Sequence, residues 1–244
     1  MPTAGRNTRY GNRFGAARML DAVVSEVHDV TPEMREITLR GPALRMVASK
    51  PGAHLPVEIP GGEPELRTYS VWAHRPADAS LTLRVALHHP GGPGSRWAGG
   101  VTTGTRVRIG VPRNKIVLDP GARYHVFAGE ETGSVPLLAM LAALPSDAEV
   151  FGVLETTGPE AEPPAPAGAR TLGWVHRGRT PAAGSPVLVR AVRGLDLPRA
   201  HGVAYVAGEA ATCRAVLRLL IDRGWPRQAV KVQTHWTQGR CGLL

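Results

Sequence analysis

Arg67-Thr68-Tyr69-Ser70 sets three chemically distinct side chains on one short extended segment. An arginine offers a planar fork to phosphate or ribityl oxygens, a tyrosine a flat apolar face with a hydroxyl, and a serine a small donor. Downstream lies Pro93-Gly94-Ser95-Arg96-Trp97-Ala98. Its glycine neighbourhood exposes backbone N–H groups and Ser95 adds a hydroxyl, as a cradle for a pyrophosphate requires. Together the two stretches point to a site for flavin adenine dinucleotide (FAD), with positions 67–70 as its strand side.

Around this pair, short alternating segments recur at 22–28, 35–40, 55–59, 67–73, 81–87 and 105–111, separated by Gly/Pro turns. Their Val/Ile/Leu/Thr enrichment predicts a small antiparallel barrel, with Arg96-Trp97-Ala98 opening its one short helix. After Pro120-Gly121 the rhythm changes. Tyr124 to Ala128 reads as a buried strand, Ser134 as the cap of a helix with Pro136 in its first turn, and Leu137, Leu138, Leu141 and Leu144 as that helix's apolar face. Further strands are expected at 150–154, 171–175, 203–207 and 230–234, and helices at 185–194 and along Cys213, Val216, Leu217 and Leu220. The proline-rich stretch 157–168 is expected to be a loop. Strand and helix alternate, which predicts a parallel α/β sheet of the nucleotide-binding type. The expected division is a mobile basic arm over 1–18, an FAD-binding β-barrel domain over 19–120 and an NAD(P)H-binding-like α/β domain over 121–244.

A chain of 244 residues is long enough for two such domains, each with its own core. With 29 Lys+Arg against 20 Asp+Glu, the formal charge is +9, so the surface attracts anions. No stretch interleaves aromatics with a basic cluster, which argues against a nucleic-acid partner. Cys213 and Cys241 are too few and too far apart for a disulfide framework or a metal site. No window approaches eighteen consecutive apolar residues and no signal peptide is legible, so a soluble, cytoplasmic protein without a membrane span is expected. Hydrolase and metalloenzyme chemistry find no support: no carboxylate pair, Ser/His/Asp set or ligand spacing stands out among the nine histidines and the acids.

The chain resembles the siderophore-interacting protein family, the FAD-containing ferric-siderophore reductases of bacteria, over nearly its whole length. The resemblance rests on Val30-Thr31-Pro32-Glu33-Met34, Gly41-Pro42-Ala43-Leu44, the motif at 67–70, and His88 to Ala98. It continues with Ala128-Gly129-Glu130-Glu131-Thr132, Trp174-Val175-His176-Arg177, Val206-Ala207-Gly208-Glu209-Ala210 and the terminal Trp236. It implies a ferredoxin-reductase-like plan, a flavin barrel followed by a nucleotide-binding sheet. It gives Arg67 the flavin phosphate or ribityl group, Tyr69 the flavin face, Ser70 a contact near N5, and Thr68, His88, Gly92, Pro93, Gly94, Ser95 and Trp97 a share of the FAD site. Gly129, Thr132, Gly208 and Glu209 are the positions implied to approach NADPH or NADH, and Trp236 to cover the flavin ring.

Two departures stand out against the family pattern. A second arginine usually follows the Ser/Thr by two residues, where this chain has Trp72; His74, Arg75 or Arg96 is expected to restore the charge, or the tryptophan to stack on cofactor or substrate. The family's Gly-Tyr-Trp-Arg-x-Gly ending is here Thr234-His235-Trp236-Thr237-Gln238-Gly239. The expected activity is FAD-dependent reduction of ferric siderophores with electrons from NAD(P)H. Arg75, Arg84, Arg96, Arg113 and Lys115 are candidates for a cationic mouth, with Arg75, Arg96, Arg113 and His235 expected to contact the small-molecule substrate. The alternatives are a flavoprotein of the same fold acting on a biosynthetic intermediate, or a module that binds a chelate without turnover.

Overall fold

A computed structural model describes residues 18–61, 65–88, 91–166, 171–198 and 202–239. The arm at 1–17, His89, Cys241 and the end of the proline-rich loop at 167–168 lie outside the described residues. Six strands close into a barrel: β1 (Met19–Thr31), β2 (Met34–Arg40), β3 (His54–Ile59), β4 (Glu65–Arg75), β5 (Ser80–Ala86) and β6 (Arg106–Gly110), in the order β1-β2-β5-β4-β3-β6. Every pairing is antiparallel. Alternation drives it: Ala22 and Val24, Ile37 and Leu39, Leu55 and Val57, and Leu81 and Leu83 all point inward into one buried cluster. Among the described residues the barrel is closed by β6, which pairs with β1 and, through Ile109 and Val57, with β3.

The one helix between β5 and β6, α1 (Pro93–Gly100), starts three residues before the expected Arg96. Proline lacks an N–H that the first helical position would leave unbonded in any case, so Pro93 begins the helix and Gly92 caps it.

The second half is a five-stranded parallel sheet in the order β11-β10-β7-β8-β9, made of β7 (Tyr124–Glu130), β8 (Glu149–Thr156), β9 (Gly173–His176), β10 (Val203–Glu209) and β11 (Val230–Trp236). Helices α2 (Glu131–Ala142), α3 (Pro186–Arg193) and α4 (Ala210–Asp222) connect its strands. β7 and β10 are buried along their whole length, as the centre of a two-faced sheet demands. On one face α3 and α4 bury Leu188, Val192, Cys213, Val216 and Leu220. On the other, α2 lies between the sheet and the barrel, touching β4 and β5, and is apolar nearly all round.

Ser134 does not cap α2. The cap is Glu130, whose carboxylate accepts the Thr132 N–H at 2.8 Å, while Ser134 sits one turn inside and donates to the Glu131 carbonyl at 2.8 Å. A carboxyl oxygen can fill the cap position, and the one of Glu130 is in reach of the Thr132 N–H. Pro136 therefore lies within the helix rather than in its opening turn. Gly133 lets α2 dock this closely: a Cβ there would stand 2.1 Å from the Ala207 carbonyl oxygen on β10.

Candidate functional site

A cleft of about 440 Å³ opens between the barrel and the carboxyl ends of the sheet strands. At its barrel end it is lined by Arg67, Thr68, Tyr69 and Ser70 from β4 and by His88, Gly92, Pro93, Gly94 and Ser95 around the start of α1. The Tyr69 hydroxyl donates to the Gly94 carbonyl at 3.0 Å, tying the motif strand to the first turn of α1. Burial pushes that phenol's pKa upward, so it remains a neutral donor. Trp97 is not in the cleft wall; it stacks behind Tyr69 with ring centres 5.4 Å apart and fixes the ring's plane. Ser95 Oγ accepts the His88 N–H at 2.9 Å and so pins the loop that precedes the helix. Arg67 is held by Glu65 and by the Leu66 carbonyl.

Trp72 does not line the cleft. Between Val71 and Ala73 the pairing of β4 with β5 skips a residue, so Trp72 is the extra residue of a β-bulge. The bulge turns its ring out of the barrel onto the α2 side of the sheet core. There it carries Arg84, whose guanidinium lies 3.5 Å above the ring. Arg84 is the cross-strand partner of Ser70, lines the cleft, and gives its Nε–H to Glu36 at 2.7 Å. Its Nη1 is buried with no partner, which is costly for an obligatory donor. Neither His74, Arg75 nor Arg96 stands in this place: His74 bonds the Leu44 carbonyl, Arg75 is exposed at the end of β4, and Arg96 donates to the Gly91 carbonyl. Arg113 is also outside the cleft wall, although its charge and that of Lys115 depress the pKa of His54 after the larger effect of burial.

The sheet side of the cleft comes from α2 and β11: Thr132, Val135, Gln233, His235 and Trp236. β11 also carries an irregularity. Gly208 pairs with Thr234 and Glu209 with Trp236, leaving His235 as the extra residue. The bulge lets His235 and its neighbour Trp236 both face the cleft, against the usual alternation. Trp236 donates its Nε1–H to Glu130 at 3.2 Å and tilts against His88 with ring centres 5.9 Å apart. Its ring is thereby set opposite the motif strand.

His235 is held by a gap in α2. Pro136 has no N–H to give to the Thr132 carbonyl four residues back. His235 is hydrogen-bonded to the Thr132 backbone in a way that favours a ring N–H, and its Nε2 is without a partner, so Nδ1–H serves that carbonyl. Burial first, and then the neighbouring His54, lower the His235 pKa to about 4, which leaves the ring neutral. Gln233 in turn reaches His54 Nδ1 at 3.3 Å with its Nε2.

Gly129, Gly208 and Glu209 lie behind the cleft rather than in its wall. A Cβ on Gly129 would meet the Ala207 carbonyl oxygen at 2.5 Å, and one on Gly208 would meet Glu130 Oε1 at 2.5 Å. Glu209 caps α4, accepting from Ala211 N at 2.7 Å and Thr212 N at 2.9 Å. These backbone donors outweigh the opposing effect of burial and lower its pKa. Glu155 accepts from Ser185 Oγ at 2.5 Å and from Leu188 N at 3.0 Å at the head of α3, and Arg177 grips Glu131 with two bonds of 2.7 Å. Burial, reinforced by the Glu131 charge, pushes Glu130 well above the usual carboxylate range.

His54, Gln233 and the capping role of Glu130 are not among the residues the sequence singled out. His54 and Gln233 belong to no motif, and only the closure of β3 and β11 around one cleft unites them. Arg84 had a weak signal, an arginine on the face of β5 opposite the core residues Leu83 and Val85, but its seat on Trp72 had none.

FAD fits what this cleft offers. The first-turn N–H groups of α1 have no intrahelical partner and suit a diphosphate, Arg67 lies beside them, and Arg84 Nη1 lacks an acceptor that a bound cofactor supplies. Comparisons with known proteins agree. The model described as siderophore-interacting FAD-binding domain matches residues 57–116, and that described as siderophore-interacting protein matches 122–239. An uncharacterized protein of Mycobacterium tuberculosis is 32% identical over 47% of this chain, a match that spans only 41% of the relative's own length. The ferric vibriobactin reductase ViuB of Vibrio cholerae is 29% identical over 74% of this chain and 68% of its own. Among solved structures, the siderophore-interacting protein SipS of Aeromonas hydrophila has 27% identity and a TM-score of 0.78 over 92% of this chain and 93% of that one. Barrel and sheet follow the ferredoxin-reductase-like plan, and with both halves matched by one family's models, the chain belongs to the siderophore-interacting proteins and carries their FAD-binding domain.

Proposed function

We propose that the protein is an FAD-dependent reductase that takes electrons from NAD(P)H and delivers them to a ferric siderophore, releasing the iron. The observation that carries this reading is the two-ended cleft, with a phosphate cradle at Arg67 and α1 and an aromatic, polar ring end between Ser70 and Trp236. Bound FAD supplies the exchange of a two-electron hydride for the single electrons that ferric iron accepts. The chain's own residues orient and shield. Tyr69, braced by Trp97, offers a flat face; Trp236, anchored to Glu130, faces it from the sheet; Arg84 presents a desolvated cation at the ring end, where it counters negative charge. The similarity to ViuB supports the ferric-chelate acceptor. The position of Trp72 outside the cleft weakens the alternative of a recruited biosynthetic flavoprotein, because Arg84 supplies the charge that position 72 lacks.

The test is an absorbance spectrum of the purified protein with FAD, followed by anaerobic NADPH and then a ferric siderophore. Flavin bands that bleach with the nucleotide and recover as ferrous iron is trapped by a chromophoric chelator are the expected outcome. A protein that takes up no FAD overturns the reading, and one whose reduced flavin persists in the presence of ferric chelates overturns the acceptor.

A further inference from the structure

Two buried acceptors at the ring end of the cleft have no partner within the protein: Gln233 Oε1 and His235 Nε2. Their state is fixed rather than incidental. Gln233 is 1% exposed, and His54 engages its Nε2, which commits the amide oxygen to the remaining direction. The Thr132 carbonyl, left without a helical partner by Pro136, takes the His235 Nδ1–H, which commits Nε2 to being an acceptor. The two residues stand two apart on β11, and both line the cleft. A buried acceptor without a donor is expensive, and two of them two residues apart on one strand constitute an unmet demand for two N–H or O–H groups.

We infer that Gln233 and His235 are the receptor for a primary carboxamide, whose –NH₂ carries two donors on one atom, and that this carboxamide is the one on the nicotinamide ring of the electron donor. The inference rests on the reading of the cleft as a flavin site served by a pyridine nucleotide, and it deepens that reading. The charge balance suits a neutral group: neither acceptor carries a proton to offer, so a carboxylate in the same place would face two lone pairs. It also gives the departure at His235 a meaning. An imidazole locked as an acceptor reads an amide.

The experiment uses the FAD-loaded protein and equilibrium binding, followed by perturbation of the flavin spectrum. The ligands are oxidised NADP and its 3-acetylpyridine analogue, which replaces the –NH₂ with a methyl group. The wild type is expected to bind the carboxamide about tenfold more tightly, the usual consequence of leaving a buried polar group unpaired. In the variants Gln233→Met and His235→Phe, made singly and together, the preference is expected to shrink stepwise towards equal binding, the ratio of the two affinities being read on the FAD-loaded fraction of each variant. Equal binding of the two ligands by the wild type overturns the inference without any need for a variant, as does a preference that survives in the double variant. If neither nucleotide binds, yet dithionite-reduced flavin still passes electrons to a ferric chelate, the carboxamide receptor and the nucleotide donor fall and the ferric-chelate acceptor stands. If dithionite-reduced flavin passes none, that reading fails on its own evidence, whatever the binding ratio.

Discussion

At the scale of single residues, Arg84 and Glu130 are the most exposed to test. Arg84→Met removes a desolvated cation from the cleft and leaves Glu36 unpaired; FAD affinity, measured by flavin fluorescence, is expected to fall on the order of tenfold or more, while Trp72→Phe, which keeps a ring beneath the guanidinium, costs far less. Glu130 has its folded-state pKa raised by burial and by Glu131, so the folded state holds a proton that the unfolded state has released. Stability from this group is therefore present at acid pH and lost as pH rises above the ordinary carboxylate range. Glu130→Gln, which removes the titration and keeps one oxygen for the Thr132 N–H, is expected to raise the melting temperature relative to wild type more at pH 9 than at pH 6. The roles of these two residues differ in how far the sequence disclosed them. Arg67 and Tyr69 announce themselves because a local motif places them. Arg84 acts through a ring on the neighbouring strand and a bulge, and cross-strand contacts leave no trace in linear spacing.

At the scale of elements, the barrel strands and the alternation of the second half were legible because burial imposes a period of two on strands and wider spacing on helices. The ends of α1 and α2 were not. Ser134 is a competent cap by type, but in the fold it donates to the Glu131 carbonyl inside the helix and Glu130 takes the cap, an outcome that local sequence does not announce. Gly133→Ala brings a methyl into the Ala207 backbone, which has no side chain to move aside; a loss of about 3 kcal/mol is expected in chemical denaturation, at the upper end of overpacking costs. The gap left by Pro136 makes a subtler prediction. Pro136→Ala gives the helix an N–H for the Thr132 carbonyl, so His235 loses its fixed partner; nitrogen-15 spectra are expected to change from one locked Nδ1–H tautomer to a mixture. Of the residues that depart from the family pattern, Trp72, His235 and Thr237, the first two each occupy a bulge, one aimed out of the cleft and the other into it. Bulges obey pairing rather than composition, which is why neither orientation could be read in advance.

At the scale of the whole molecule, the excess of nine positive charges favours encounter with anionic chelates and does so over a distance that salt controls. The apparent KM for an anionic ferric chelate is expected to rise several-fold between low and high ionic strength, while that for a neutral chelate stays flat; parallel curves would remove charge from the account of substrate capture. Among the described residues no helix is long and apolar enough to cross a membrane. The helix starts along the sheet edge next to the cleft are filled from within. The carboxyl groups of Glu130 at α2, Glu155 at α3 and Glu209 at α4 already accept the N–H groups with which a parallel sheet ordinarily welcomes a phosphate. A tethered carboxyl group never diffuses away, so a visiting diphosphate meets seats that are already taken. On the proposed function, a nucleotide reductant is then expected to be held mainly by its reactive head, so that it touches, gives up its electrons and leaves rather than being stored on the protein.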